Sequence, residues 1–219
     1  MNDAVVVQDS IAQANGKMVV SNPTLPLHII IITHSEAKTF ISRHHYLGIK
    51  PFRSSVSFGL LHNNELVGVA AYHNISAPET AVGAFGLQRC EQRGLWELDR
   101  LALRPDHNGG NNGSFFIRRS IMLLGKQRDV RAVIAYADSG LHVGSIYQAA
   151  GFIYCGLTTQ KSDFYVNGKI KERGKTKGIG GEWRLRPRKH RYIVLIDKAI
   201  ILKWIVLQYP KKINVDKRI

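Results

Sequence analysis

Apolar positions along this chain fall mostly into short β-branched runs and alternating stretches, with helical spacing in only a few places. The run LHIIIITH (27–34) has the length and composition of a strand. SEAKTFISRHHY (35–46) then spaces its apolar residues as a helix does, with Ser35 as the candidate N-cap. SVSFGLLHNNELVGVAAYH reads as two strands joined at Asn63-Asn64, a pair suited to a tight hairpin turn. The small and turn-forming residues of 75–94 predict an irregular loop holding one short helix. A strand LWELDRLAL (95–103), a glycine-rich turn RPDHNGGNNGS and a helix FFIRRSIMLLGK (115–126) follow in order. AVIAYAD (132–138) is a second strand, and it leads through SGLHVGS into the short helix of IYQAAGF. Beyond it a further hairpin is expected with Asn167-Gly168 at its tip. YIVLIDKAIILKWIVLQY reads as a buried strand followed by a helix or a second strand, since Asp197, Lys198 and Lys203 interrupt it too often for a membrane span.

Strands and helices interleaved in this way predict an α+β (α/β) fold with a mixed central sheet flanked by helices. At 219 residues the chain fits one domain with decorations. Residues 1–26 hold no sustained pattern and end in SNPTLPL, so a flexible arm is expected there. Residues 27–157 form the expected catalytic core, and 158–219 a basic C-terminal part that completes the sheet. ERGKTKGIGG, within that part, reads as a basic glycine-rich loop. Cys90 and Cys155 lack CxxC spacing and are too few for a disulfide scaffold; they suit reduced thiols in the cytoplasm. The N-terminus shows no signal-peptide pattern.

Charge changes the picture. The net charge is +15, and residues 158–219 carry 17 Lys/Arg against 5 Asp/Glu, of 31 and 16 in the whole chain. A long basic stretch is often just a solvated face, but one this unbalanced also suits a polyanion such as nucleic acid. Lys175, Lys177, Arg186, Arg188, Lys189 and Arg191 are the candidate phosphate contacts, with Tyr165, Trp183 and Tyr192 interleaved as possible stacking rings.

The candidate chemistry lies between Trp96 and Phe152. A glycine turn at a helix start offers bare N–H groups to an anion, so Asn108, Gly109, Gly110, Gly113 and Ser114, with Arg104 just before them, form a candidate cofactor site. Strand alternation places Glu97 and Asp99 on one face with Leu101, and Leu98 and Arg100 on the other. Charges within a central strand must be paired or functional, and both readings stand here. Asp138 ends its strand where open sheets bind ligands, and Tyr147 could donate a proton to a leaving group. The plain alternative is an Asp helix cap and a packed tyrosine. His44 and His45 point in different directions on a helix, which makes them poor joint metal ligands; His45 remains a single candidate ligand, and His142 is a similar one.

The run from ELDRLAL through NGGNNGS to YADSGLHVGSIYQAAGF resembles the GNAT acyltransferase superfamily. More narrowly, HHYLG (44–48), ELDR (97–100), Ser114, YAD (136–138), IYQAAGF (146–152) and PRKHRY (187–192) resemble the Mom family of phage DNA-modification proteins, over roughly residues 40–195. The resemblance implies a GNAT-like fold and a catalytic set of Tyr46, Glu97, Arg100, Ser114, Asp138 and Tyr147. It also implies transfer of a small carbamoylmethyl-type group to adenine N6 in double-stranded DNA, a mark that shields phage DNA from restriction nucleases. The glycine turn reads HNGGNNGS and lacks the Q/R-x-x-G-x-G/A spacing of coenzyme A sites, so the donor stays open between acetyl-coenzyme A and another acyl or aminoacyl donor, with a metal also possible. Two other functions fit the same residues: a GNAT N-acetyltransferase acting on tRNA, protein or a small amine, and a non-catalytic nucleic-acid-binding module.

Overall fold

The structure, a computed structural model, describes residues 10–14, 17–22, 25–171, 176 and 178–211. In chain order its elements are β1 (Ser10–Ala14), β2 (Lys17–Asn22), β3 (Leu25–Ile32), α1 (His34–His44), β4 (Val56–His62), β5 (Glu65–Asn74), α2 (Pro78–Phe85), β6 (Leu95–Leu103), α3 (Asn112–Gln127), β7 (Ala132–Asp138), α4 (Ser145–Ala149), β8 (Ile153–Leu157), β9 (Ser162–Val166), β10 (Lys169–Ile170), β11 (Glu182–Leu185) and β12 (Lys189–Leu195).

Nine strands form one sheet in the order β1-β2-β3-β4-β5-β6-β7-β12-β8, and a small second sheet has the order β10-β9-β11. Every neighbouring pair in the large sheet is antiparallel except β6 and β7. That parallel pair is joined through α3, the right kind of crossover for such a connection. Its pairing runs only from Leu95↔Ala132 to Leu98↔Ala135, although both strands continue further. The two strands therefore part company halfway along the sheet.

A β-bulge marks the place. On β5, Ala71 and Tyr72 are consecutive, yet they oppose Arg100 and Leu98 on β6, which leaves Asp99 as the extra residue. Before the bulge, Trp96 and Leu98 face the core under α3; after it, Leu101 and Leu103 do. The expected alternation fails for this reason: Leu101 lies on the face opposite Glu97, because one inserted residue switches the parity of the strand.

Helix α3 buries Phe116, Ile117, Ser120, Ile121, Leu123 and Leu124, one continuous stripe at helical spacing, against the sheet. Each large apolar side chain buried there contributes about 1.5–3 kcal/mol of transfer free energy. The opposite face is covered by α1, through Ala37, Phe40 and Ile41, and by α2, through Ala81, Ala84 and Phe85. The start of α1 is set by Thr33 and not by Ser35: Thr33 and Glu36 form a reciprocal capping box. Both predicted hairpins form, with Asn63, Asn64, Asn167 and Gly168 at positive φ.

The two ends of the chain differ from expectation. Residues 10–22, expected as a flexible arm, pair as β1 and β2 onto β3; KMVVSN offers the β-branched residues that a sheet edge accepts. At the other end, β12 inserts between β7 and β8, so the basic C-terminal part supplies an interior strand of the sheet. The helix or second strand expected after it is an extended strap. Lys203 N bonds Ala84 O, Leu207 N bonds Tyr154 O, and Tyr209 OH bonds Phe152 O. Trp204 lies against Gly83 and under the Arg191 guanidinium. No helix among the described residues is long and apolar enough to cross a membrane.

Candidate active site

Where β6 and β7 separate, a cavity of about 480 Å³ opens. Its walls come from four places: the end of α1 (His44, His45, Tyr46, Leu47), β6 (Glu97 through Leu103), β7 with the turn after it (Tyr136, Asp138, His142), and α4 (Ser145, Ile146, Tyr147). Asn108 and Lys189 complete it. Of the expected catalytic residues, Tyr46, Glu97, Arg100, Asp138 and Tyr147 meet here. Ser114 does not: it is buried within α3, and its hydroxyl donates to Asn111 O at 3.0 Å.

Asp138 is held by the backbone. Its Oδ1 accepts from Gly140 N at 2.9 Å, an Asx turn that fixes the carboxylate at the end of β7. Its other oxygen has no hydrogen bond among the described residues. Tyr147 is buried against Phe152 and Tyr192, and burial raises its pKa, keeping the phenol protonated. Tyr46 is 55% exposed at the rim, where its ring stacks on His45 at 4.4 Å and meets His142 edge-on at 6.2 Å. Burial, aided by the Arg100 charge, lowers the His45 pKa to about 4, so this imidazole is neutral at neutral pH. Its Nδ1 accepts from Leu47 N at 3.1 Å.

Arg100 is anchored from the other side. Nη1 donates to Asp99 O at 2.8 Å and lies 3.1 Å from Asp99 Oδ1; Nη2 donates to Pro51 O at 3.1 Å. Its Nε is buried without an acceptor, an open donor in the cavity wall. Beside it sits a group that the strand pattern did not single out. His73 pairs with Glu97 across β5 and β6, and ligand atoms of His73, Glu97 and Asp99 lie within 4.8 Å of one another. Burial raises the Glu97 pKa. Burial works in the same direction on Asp99, but His73, Arg100 and the Arg53 amide outweigh it and hold Asp99 low. Only the β5–β6 register reveals His73, and a single sequence does not supply that register.

The glycine turn behaves differently from a phosphate cradle. Gly113 is a packing position: a Cβ there would overlap Ile146 Cδ1 and lie 2.9 Å from Ile146 Cγ1. Gly109 and Gly110 are open, but Arg104 is spent on Glu65 and Asp106, at 2.7 Å each, and Asp106 also meets His107. Two carboxylates against one guanidinium repel a pyrophosphate, so these residues do not fit coenzyme A held in the usual way. Of the candidate cofactor residues, Asn108 alone lines the cavity.

The basic residues also divide. Lys189 points into the cavity and lies 5.8 Å from the Tyr136 ring centroid. Arg186 pairs with Asp163 at 3.8 Å. Arg188 donates to Thr158 O and Leu157 O, and Arg191 to Cys155 O. Lys175 and Lys177 lie outside the described residues.

A mostly antiparallel sheet with one parallel pair that separates at its centre, helices on both faces, and a cavity in the gap define a GNAT-like protein. Within that class, the chain belongs to the Mom protein family, whose match spans residues 26–211. It is similar in structure to a Bacillus subtilis acetyltransferase in complex with CoA (14% identity, 78% of this chain and 99% of that one, TM-score 0.48). It is also similar to a ribosomal-protein-alanine N-acetyltransferase from Escherichia coli (15%, 79% and 96%, TM-score 0.48). A third is a GNAT family acetyltransferase from Elizabethkingia anophelis with acetyl-CoA bound (10%, 78% and 99%, TM-score 0.47). No curated protein matches the chain.

Proposed function

We propose that this protein is a transferase that places a small acyl-like or carbamoylmethyl-type group on adenine N6 in double-stranded DNA. The observation that carries the reading is the cavity between β6 and β7, with a carboxylate, a protonated phenol, an open guanidinium donor and an exposed aromatic ring on its walls. Its volume falls in the range of small-ligand pockets, about 300–1,000 Å³. An adenine extruded from the duplex stacks on the Tyr46–His45 ring pair at the rim. Its amine attacks the electrophilic carbon of the donor: the new N–C bond forms and the bond to the leaving group breaks. The free oxygen of Asp138 takes the N6 proton, and Tyr147 supplies one to the leaving group. Arg100 Nε receives the carbonyl oxygen of the transferred group. The net charge of +15 draws the protein to the phosphate backbone.

The test is mass spectrometry of deoxynucleosides from plasmid DNA after expression of the chain, beside an Asp138→Ala control. A new deoxyadenosine species, absent from the control, is the expected result. Unmodified DNA together with a newly acylated RNA or protein amine would replace DNA as the acceptor.

A further inference from the structure

On the α1 and α2 face of the sheet, behind the wall of the cavity, three ligand-bearing side chains converge with less bonding among them than burial demands. His73 is 6% exposed. Its Nδ1 meets Asn74 O at 2.5 Å, which makes Nδ1 the protonated nitrogen of the neutral ring and leaves the Nε2 lone pair turned toward two carboxylates. Nε2 stands 3.9 Å from Asp99 Oδ1, beyond hydrogen-bond reach. Glu97, directly across the strand pair, accepts no hydrogen bond among the described residues. A buried lone pair facing two carboxylates calls for a cation between them.

We infer that His73, Glu97 and Asp99 form a binding site for one first-row divalent cation. One imidazole nitrogen and two carboxylate oxygens suit manganese, iron, cobalt or zinc. The backbone-bonded Nδ1 is the outer-shell support that orients a metal-ligating histidine. Around a tetrahedral ion, ligand atoms about 2.0–2.2 Å from the metal stand about 3.4 Å apart, so closing from 4.8 Å takes a rotamer adjustment of roughly 1 Å. The bulge at Asp99 is the local device that makes this possible, since it turns the carboxylate of the extra residue toward His73. Arg100 beside Asp99 offsets one of the two negative charges, which leaves room for a dication with water or substrate in the remaining positions. A shallow recess lined by Phe52, Arg53, His73, Ser76, Glu97 and Asp99 gives an entry path. The inference is independent of the acceptor proposed above.

The competing occupant is a proton held on Nε2. The full-length protein, stripped with chelator, is titrated with manganese(II), cobalt(II) and zinc(II), with metal content measured after gel filtration. The expected result is one equivalent retained, cobalt d–d absorption bands, and a rise in melting temperature on metal addition. His73→Gln and Glu97→Gln should each weaken binding by at least about tenfold. His62→Gln, which removes one ring of the separate His62–His107 pair, should leave it unchanged. Wild-type protein with neither cobalt bands nor a thermal shift overturns the inference, whatever the variants do. So does metal retained in full by His73→Gln. Asp138→Ala should lose DNA modification and keep its metal, so failure of the acceptor reading leaves the metal result standing.

Discussion

Gly113 separates two readings of the glycine turn. If it is there to cradle a phosphate, a methyl group would obstruct a ligand and leave the fold alone. In the structure, the methyl of Gly113→Ala overlaps Ile146 Cδ1, sits 2.9 Å from Ile146 Cγ1 and 3.2 Å from Leu103 Cδ1. Gly113 is buried, and Ile146 belongs to α4, so the strain falls on the contact between two helices. Overpacking of this kind costs about 1–3 kcal/mol. Alanine returns something less than ~1 kcal/mol as the better helix former, and less still at the second residue of α3. A net loss of about 1–2 kcal/mol lowers the melting temperature of a chain this long by roughly 2–8 °C. Ile146→Val removes the overlapping Cδ1 and costs about 0.5–1.5 kcal/mol alone. The double variant should then be more stable than the sum of the two single losses by at least about 0.5 kcal/mol. Calorimetry and urea unfolding of the four proteins measure this. Gly109→Ala, with nothing within 4 Å of its new methyl, is the internal comparison and should shift stability by under about 0.5 kcal/mol. Gly113→Ala melting at or above the wild type, or strict additivity with Ile146→Val, would refute the packing argument.

Three further outcomes follow from other parts of the molecule. The buried Tyr72 hydroxyl meets Ser120 Oγ at 2.7 Å, and Ser120 also donates to Ile117 O at 3.0 Å; Ser120→Ala strands a fully buried phenol and should cost about 1–3 kcal/mol, more than Tyr72→Phe, with equal losses counting against the account. His45 has a folded pKa of about 4 against 6.5 in the unfolded chain, so the unfolded state binds the extra proton and stability falls as pH drops from about 6.5 toward 4; His45→Gln should flatten melting temperature against pH across that window, and an unchanged slope would show that the imidazole is not held neutral. Replacing the exposed Lys161, Lys169 and Lys171 with Gln should weaken DNA binding at every sequence and reduce its salt slope by about 0.9 for each phosphate no longer neutralised, whereas Arg188→Gln, which breaks two carbonyl bonds, should register mainly in thermal stability.

What the sequence disclosed was local in origin. Asn63-Asn64 and Asn167-Gly168 announce their hairpins because only a few residue types tolerate positive φ. The strand–turn–helix–strand order of 95–138 is legible because its periods differ, and it brings Asp138 and Arg100 to one cavity. What stayed hidden depends on pairings distant in sequence. Nothing in LWELDRLAL marks Asp99 as a bulge, and one extra residue reverses the face of every later side chain on that strand. The ladder that puts β12 between β7 and β8 joins Lys189 to Asp138 across about fifty residues of intervening chain, and it delivers to the cavity a lysine that composition alone assigned to a phosphate. The strap after β12 keeps an apolar composition that suggests regular structure, but docking of Trp204 on Gly83 fixes its path.

In the basic C-terminal part, the charge carried and the charge available to a ligand are different quantities. Arg184 is paired with Glu182, Arg186 with Asp163, and Arg188 and Arg191 are committed to main-chain carbonyls. A carbonyl does not neutralise a guanidinium, so Arg188 and Arg191 still contribute to the long-range field that attracts a polyanion. They are not free to follow a phosphate, because withdrawing them leaves strand-edge carbonyls unsatisfied. Attraction and grip therefore fall to different residues: fixed arginines shape the potential around β12 and the cavity mouth, and exposed lysines on the small sheet make the exchangeable contacts. Lys189 belongs to neither group, since β12 carries it to the cavity, opposite Asp138 in the strand pairing. A cation there favours negative charge on its surroundings, and that is the charge a leaving group develops as its bond breaks.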